Sequence, residues 1–222
     1  MREFKAFPKI PRLNRDIIIT EKIDGTNAAI RIELPEALDK PLSAGAGVKV
    51  GDFIVRAQSR TRFIQPLNDN AGFAKWVWEN AAELTALLGE GIHFGEWWGA
   101  GVQRRYAQAT KRFSLFNVSR WGFLNEPEYV ATQGRKGVGG VPVDAVQTLY
   151  RGPWFQDEPT TGRQWAPEAA LDLLRTNGSV AAPGFTDSEG IMVFHEAGGY
   201  LFKVTVKDDE KRLEELGDSA PK

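Results

Sequence analysis

Short apolar runs of strand length recur along this chain, each closed by a turn residue or a charge, and they limit its fold more than any other feature. "DIIIT" and "TNAAIRIE" flank the polar segment "EKIDG". In the second run Ala28, Ile30 and Ile32 alternate with Asn27, Ala29, Arg31 and Glu33, the period of two expected of a half-buried strand. Lys22 therefore falls at a strand end. "VKVGDFIVRAQS" predicts a hairpin turning at Gly51-Asp52. Further strands are expected at "GIHFGEW", "RFSLFNV", "VDAVQTLY", "GIMVFH" and "YLFKVTV", the last two forming a hairpin around "EAGG".

Helical spacing is clearest in "NDNAGFAKWVWENAAELTALLGEG", where Phe73, Trp76, Val77, Leu84, Leu87 and Leu88 share a face between a start at Asn70 and a stop at Gly89. Its tryptophans read as core. Pro167 to Arg175 and Asp208 to Leu216 read as shorter helices, and Asn125 to Gly140 as a loop. The glycines of "GRKGVGG" do not form a P-loop, because no G-x-x-x-x-G-K-[ST] is present. Together these elements predict an α+β fold of mainly antiparallel sheets flanked by helices.

At 222 residues and 42% apolar content, the chain can bury its own core. It has no cysteine, which excludes disulfides and thiolate metal sites and suits a cytoplasmic location. Two histidines, His93 and His195, are too few for a zinc site without several carboxylates. The N-terminal "MREFKAFPKIPRLNRD" lacks the apolar core of a signal peptide, and no run approaches the roughly 18 residues of a membrane span. With 28 basic and 29 acidic residues the net charge is -1, so attraction for phosphate backbones must be local. Arg56, Arg60, Arg62, Arg104, Arg105, Lys111 and Arg112 form the visible basic cluster; solvated side chains on edges and loops are the plainer reading of each.

Four stretches carry candidate chemistry: "EKIDGTN", "HFGEWWG", "SEGIMVF" and "LFKVTVK". Each sets a charge at or near the end of an apolar strand, where a sheet can hold it in place. Alone, K-x-D-G is commonly a turn, with Asp24 and Gly25 supplying turn chemistry. In this order, however, the stretches resemble the motifs of the covalent nucleotidyltransferases, the superfamily of ATP-dependent polynucleotide ligases and RNA-capping enzymes. Those motifs run K-x-[DH]-G, an arginine segment, [FY]-G-E, an aromatic segment, E-G-h and a lysine-bearing strand. The wording "EKIDGTN" is most similar to the second RNA ligase family, the branch of the phage RNA-repair and trypanosome editing ligases. The resemblance runs from about Ile17 to Lys207.

The chemistry is demanding for a lysine. An amine of ordinary pKa near 10.4 is neutral in only about one molecule in a thousand near pH 7.4, and a shift of about three units requires roughly 4 kcal/mol. Burial and nearby cations supply such a shift. The resemblance implies ATP and Mg2+ or Mn2+ as cofactors, and an ATP-grasp-like nucleotidyltransferase fold without an OB domain. It assigns roles residue by residue. Lys22 becomes the adenylated nucleophile, Asp24 orients the lysine or a water of the metal, and Lys203 grips the α-phosphate. Glu189 binds the metal, with Asp24 as its second candidate ligand. Glu21 and Asn27 flank the nucleophile among the nucleotide-binding residues. Arg60 in "QSRTRF" contacts the nucleotide or the 5'-phosphate strand, with Arg56 as a weaker candidate. Glu96 accepts from a ribose hydroxyl, and Phe116 stacks on adenine with Met192 on its other face.

The sequence departs from the family pattern in two places. The last strand usually carries K-x-K, but the second position here is Thr205, with Lys207 two residues on. Asn117 follows the stacking aromatic where an acid is frequent. Only about fifteen residues follow Lys207, so the expectation is a single adenylyltransferase domain over 1–222 without a C-terminal clamp, the RNA being held by the arginines or by a partner protein. The implied activity is ATP-dependent sealing of RNA 5'-phosphate to 3'-hydroxyl ends. A DNA ligase, a capping-type nucleotidyltransferase and a non-catalytic nucleotide- or RNA-binding module are the alternatives.

Overall fold

The computed structural model describes residues 4–35, 47–69, 71–133, 141–157 and 162–207. The expected start at Asn70, the "GRKGVGG" segment and the helix over Asp208–Leu216 lie outside the described residues. The described chain divides into two compact units, one of residues 4–22, 148–180 and 186–207, the other of residues 23–147 and 181–185.

The first unit is built on a four-stranded antiparallel sheet. Its strands are β1 (Ile17–Lys22), β9 (Thr148–Gly152), β12 (Gly190–His195) and β13 (Tyr200–Thr205), in the order β13-β12-β1-β9. Odd-numbered Ile17, Ile19, Ile191 and Val193 pack on Ala166, Ala170, Leu171 and Leu174 of the helix Ala166–Asn177. That helix has Pro167 in its first turn and stops before Gly178. A two-stranded ladder, β10 (Phe155–Gln156) with β11 (Gln164–Trp165), completes this unit. The β12–β13 hairpin turns over residues 196–199, where "EAGG" predicted it.

The second unit holds a larger sheet containing β2 (Thr26–Glu33), β3 (Val48–Val50), β4 (Phe53–Ser59), β5 (Phe63–Ile64), β6 (Gly91–Gly99), β7 (Lys111–Leu115) and β8 (Val143–Ala145). Its order is β3-β4-β2-β6-β7-β8, with β5 on β4, and only β7–β8 is parallel. Val50 pairs with Phe53, so the hairpin does turn at Gly51-Asp52. Ala28, Ile30, Ile32, Val55, Phe113 and Leu115 build the core against the helical segment. The alternation in β2 is only partly right, because Ala29 and Glu33 are also buried. Glu33 is accommodated by two guanidinium groups, Arg31 Nε at 2.5 Å and Arg56 Nη1 at 3.1 Å.

Four expectations are corrected. The segment from Asn125 to Gly140, expected as a loop, contains a helix over Pro127–Gln133. The long helix is two, Phe73–Glu79 and Ala81–Leu88, because Asn80 leaves helical geometry (φ -118°, ψ 21°) while its side-chain nitrogen donates to the Trp76 carbonyl. Gly89 does end the second. "VDAVQTLY" is not one strand: β8 joins the larger sheet and β9 the smaller. The strand at "RFSLFNV" stops at Leu115, which leaves Phe116 beyond its end.

Gly95 shows how tightly this sheet is assembled. A Cβ there would lie 2.4 Å from the Ser114 carbonyl oxygen and 2.7 Å from the Phe113 ring. Gly95→Ala is expected to cost about 1–3 kcal/mol, or roughly 2–4 °C of Tm per kcal/mol in a chain of this size. Gly122→Ala, where a Cβ meets open space, is the control in the same thermal melt. His93 gives a pH test. It is buried with Nε2 3.0 Å from the Gly89 carbonyl, and burial, reinforced by Arg120, lowers its pKa below 6.5 against the opposing effect of that hydrogen bond. The unfolded chain then takes up this proton first as pH falls, so stability present above 6.5 is lost below it. Urea midpoints should fall between pH 7.5 and 5.5, and His93→Gln should flatten that dependence.

Candidate functional site

In the first unit β1 ends on Lys22, which pairs with Gly190, and Gly190 pairs with Thr205. In the next such row Thr20 pairs with Met192 and Met192 with Lys203. Directly paired residues share a sheet face, so Lys22, Met192, Lys203 and Thr205 stand on one face, opposite the apolar core. Lys22 Nζ lies 2.5 Å from Glu189 Oε1, with about a fifth of each side chain exposed (23% and 18%). The close approach of β13 here needs a glycine, since a Cβ on Gly190 would be 2.1 Å from the Val204 carbonyl oxygen.

Glu21 points the other way. It is buried, and its Oε2 accepts the Val180 N–H at 2.9 Å. At the far end of β13, Thr205 Oγ1 donates to the Lys207 carbonyl at 2.6 Å, and Lys207 Nζ lies 2.7 Å from Asp187. Lys203 is thus the lysine of this strand that shares the Lys22 face.

In the second unit Asn27 of β2 pairs with Glu96 of β6, and Glu96 with Ser114 of β7. Glu96 Oε1 accepts the Gly25 N–H at 3.1 Å. A Cβ on Gly25 would lie 2.5 Å from the Trp97 carbonyl oxygen and 3.0 Å from the Glu96 side chain. This glycine gives space for the segment to lie against β6, more than it supplies turn chemistry. Phe116 is partly exposed (39%), and its N–H donates to the Phe94 carbonyl. Arg60 is exposed in the turn between β4 and β5.

Asp24 is held from a loop that the sequence did not single out. Its N–H donates to Tyr106 Oη at 2.9 Å, and its Oδ2 accepts from Arg104 Nε at 2.8 Å. Gln103, Arg105, Tyr106 and Ala107 all have φ between 42° and 61°. Such conformations cost about 1–3 kcal/mol each and persist only where the surroundings impose them. Tyr106 is fully buried among Ile23, Trp98, Val146 and Ala182. The sequence signal for this loop is Arg104 and Arg105 of the basic cluster, for which solvated side chains are the plainer reading. Other members of that cluster are likewise committed. Arg56 is paired with Glu33 and stacked 3.3 Å over Phe63, Arg112 is 2.5 Å from half-buried Asp144, and Lys111 donates to the Ala71 carbonyl. Burial raises the Asp144 pKa, with Arg112 and Ser114 opposing it.

For a divalent cation the donor set is sparse. Among the described residues no group of three or more His, Cys, Asp or Glu could enclose one. Glu189 Oε2, however, is a buried oxygen without a hydrogen-bond partner. That fits an Mg2+- or Mn2+-like ion held by one or two carboxylates and completed by water and phosphate.

Comparison with known proteins bears on both units. Two solved structures of mutant Naegleria gruberi RNA ligase, each with ATP and Mn, are similar to this chain at TM-score 0.50 and 14% identity. One alignment covers 86% of this chain and 49% of the ligase, the other 88% and 51%. The chain therefore spans about half the length of the ligase it matches, and at this identity the likeness is one of fold. A search of curated proteins finds no match. The family model for RNA ligase matches residues 15–205, the stretch that holds every candidate residue above, and the chain belongs to the RNA ligase family.

Proposed function

We propose that the chain is an ATP-dependent RNA ligase acting through a lysyl-AMP intermediate. The observation that carries this reading is Lys22 at the end of β1, beside Glu189 and on one sheet face with Met192 and Lys203. A strand end fixes the amine's origin while leaving its tip free to move. In the first step the Lys22 amine attacks the α-phosphorus of ATP. A P–N bond forms, the bond to the bridging oxygen of the β-phosphate breaks, and pyrophosphate leaves with that electron pair. The amine must part from Glu189 and give up its proton to attack. Lys203 places a cation on the same face for the α-phosphate, where charge and placement govern the rate.

The other roles are proposed on the same basis. Glu189, with its unpartnered oxygen, is the cation ligand, and Asp24 is the second candidate. A divalent ion bound there would supply neutralisation of phosphate charge. Glu96 presents a carboxylate acceptor to a ribose hydroxyl, with Asn27 beside it in register. Phe116 offers a partly exposed ring to adenine, and Met192 a soft apolar surface. Arg60 is free to meet the nucleotide or the strand phosphate. Glu21 serves this site through the 178–180 segment that it holds. In the second step the RNA 5'-phosphate oxygen takes the adenylyl group from Lys22. In the third the 3'-hydroxyl attacks that phosphate, forms the phosphodiester and expels AMP. No described helix is long and apolar enough to cross a membrane.

Incubation with ATP and Mg2+ or Mn2+ should add one AMP to the intact mass. Lys22→Ala and chelation by EDTA should each abolish the adduct, and a wild-type protein left unmodified with either metal would sink the proposal. Lys203→Ala and Glu189→Ala should slow adduct formation by about 10²-fold or more, as expected for groups that meet developing phosphate charge. Nicked duplexes differing only in RNA or DNA on the 3'-hydroxyl side should show sealing with RNA there, and equal sealing of both would argue for a DNA ligase.

A further inference from the structure

The loop over residues 103–107 aims two different groups at one residue. Tyr106 Oη accepts the backbone N–H of Asp24, and Arg104 Nε donates to its carboxylate, at 2.9 and 2.8 Å. Core filling alone does not account for this. A leucine on an unstrained path fills space as well, whereas this path keeps four non-glycine residues at positive φ. The ring is fixed in turn, edge-on to Trp98 at 5.2 Å and 4.6 Å from Phe185. The side chains of Arg104 and Asp24 are 28% and 30% exposed, so the pair is neither sealed in the core nor loose on the surface.

We propose that Tyr106 and Arg104 are positioning residues that hold the acid of K-x-D-G in one pose for adenylyl transfer, Tyr106 by its backbone and Arg104 by its carboxylate. The function of that pose rests on the ligase reading above. Neither residue touches the reacting atoms. Both act through Asp24, so their loss should cost nothing once Asp24 is gone. The strained loop serves as a rigid mount, and a rigid mount lowers the rate when removed without weakening the grip on ATP.

The test is single-turnover AMP transfer from ATP with Mn2+ in Tyr106→Phe, Arg104→Gln and Arg104→Lys, alone and combined with Asp24→Ala. Tyr106→Phe and Arg104→Gln should each slow transfer by about 10-fold to 100-fold, with KM for ATP within about twofold. Arg104→Lys should recover part of the rate, and neither loss should add to that of Asp24→Ala. Losses that multiply with Asp24→Ala, or rates equal to wild type, overturn the proposal. Hydrogen exchange reads the same mount without any chemistry. Tyr106→Phe should speed exchange of the Asp24 amide by about tenfold or more while leaving β2 amides unchanged, and an unchanged Asp24 amide overturns the holding role. If wild type accepts no AMP the ligase reading fails, and the exchange result still decides whether Tyr106 holds Asp24.

Discussion

Close backbone packing at three glycines is the constraint on which the candidate chemistry depends. Gly25, Gly95 and Gly190 each lie where an added Cβ would sit within 2.1–2.5 Å of a neighbouring backbone carbonyl. Each adjoins a candidate residue: Gly25 follows Asp24, Gly95 precedes Glu96 and Gly190 follows Glu189. A missing side chain at these points lets the backbones close up beside the adjacent acid. Glu96 is an example: it is fixed in register between Asn27 and Ser114, and it also accepts the Gly25 amide. The glycines of K-x-D-G, F-G-E and E-G are therefore part of the positioning apparatus.

The charges follow the same logic of being held before they are used. Glu189 faces Lys22, Asp24 faces Arg104, and Glu96 takes a backbone donor. A carboxylate with fixed partners costs little reorganisation when a ligand arrives, which is how preorganised sites stabilise developing charge. Lys22 and Glu189 differ from the rest. Their contact joins the proposed nucleophile to the proposed cation ligand, so in that reading both must part for either to act.

Much of this was legible in the sequence, for local reasons. Period-two runs, the Gly51-Asp52 turn, the "EAGG" hairpin and the helix with Pro167 in its first turn are set by nearest neighbours, and the strand end at Lys22 follows from where the apolar run stops. What escaped depends on distant partners. Asn80 breaks the helix because its side chain competes for the Trp76 carbonyl. Glu33 is buried because Arg31 and Arg56 converge on it, and "VDAVQTLY" divides because its halves are claimed by different sheets. The loop at 103–107 was illegible for a further reason: nothing in "QRRYA" asks for positive φ, so burial and hydrogen bonding of Tyr106 impose it against local preference.

The arginines supply the last step. As a sequence cluster they looked like an electrostatic footprint for RNA, yet Arg56, Arg104 and Arg112 neutralise Glu33, Asp24 and Asp144. Among the described residues of that cluster, Arg60, Arg62 and Arg105 stand exposed without a salt bridge. In single-stranded nucleic acid each phosphate contact contributes a slope of only about -0.7 in log K against log salt. The three exposed members of that cluster would by themselves give only a weak, shallowly salt-dependent hold on a phosphate backbone. For the proposed RNA substrate, discrimination would then rest on contacts to the sugar, the base and the reacting ends, because phosphate contacts position a strand without reading it.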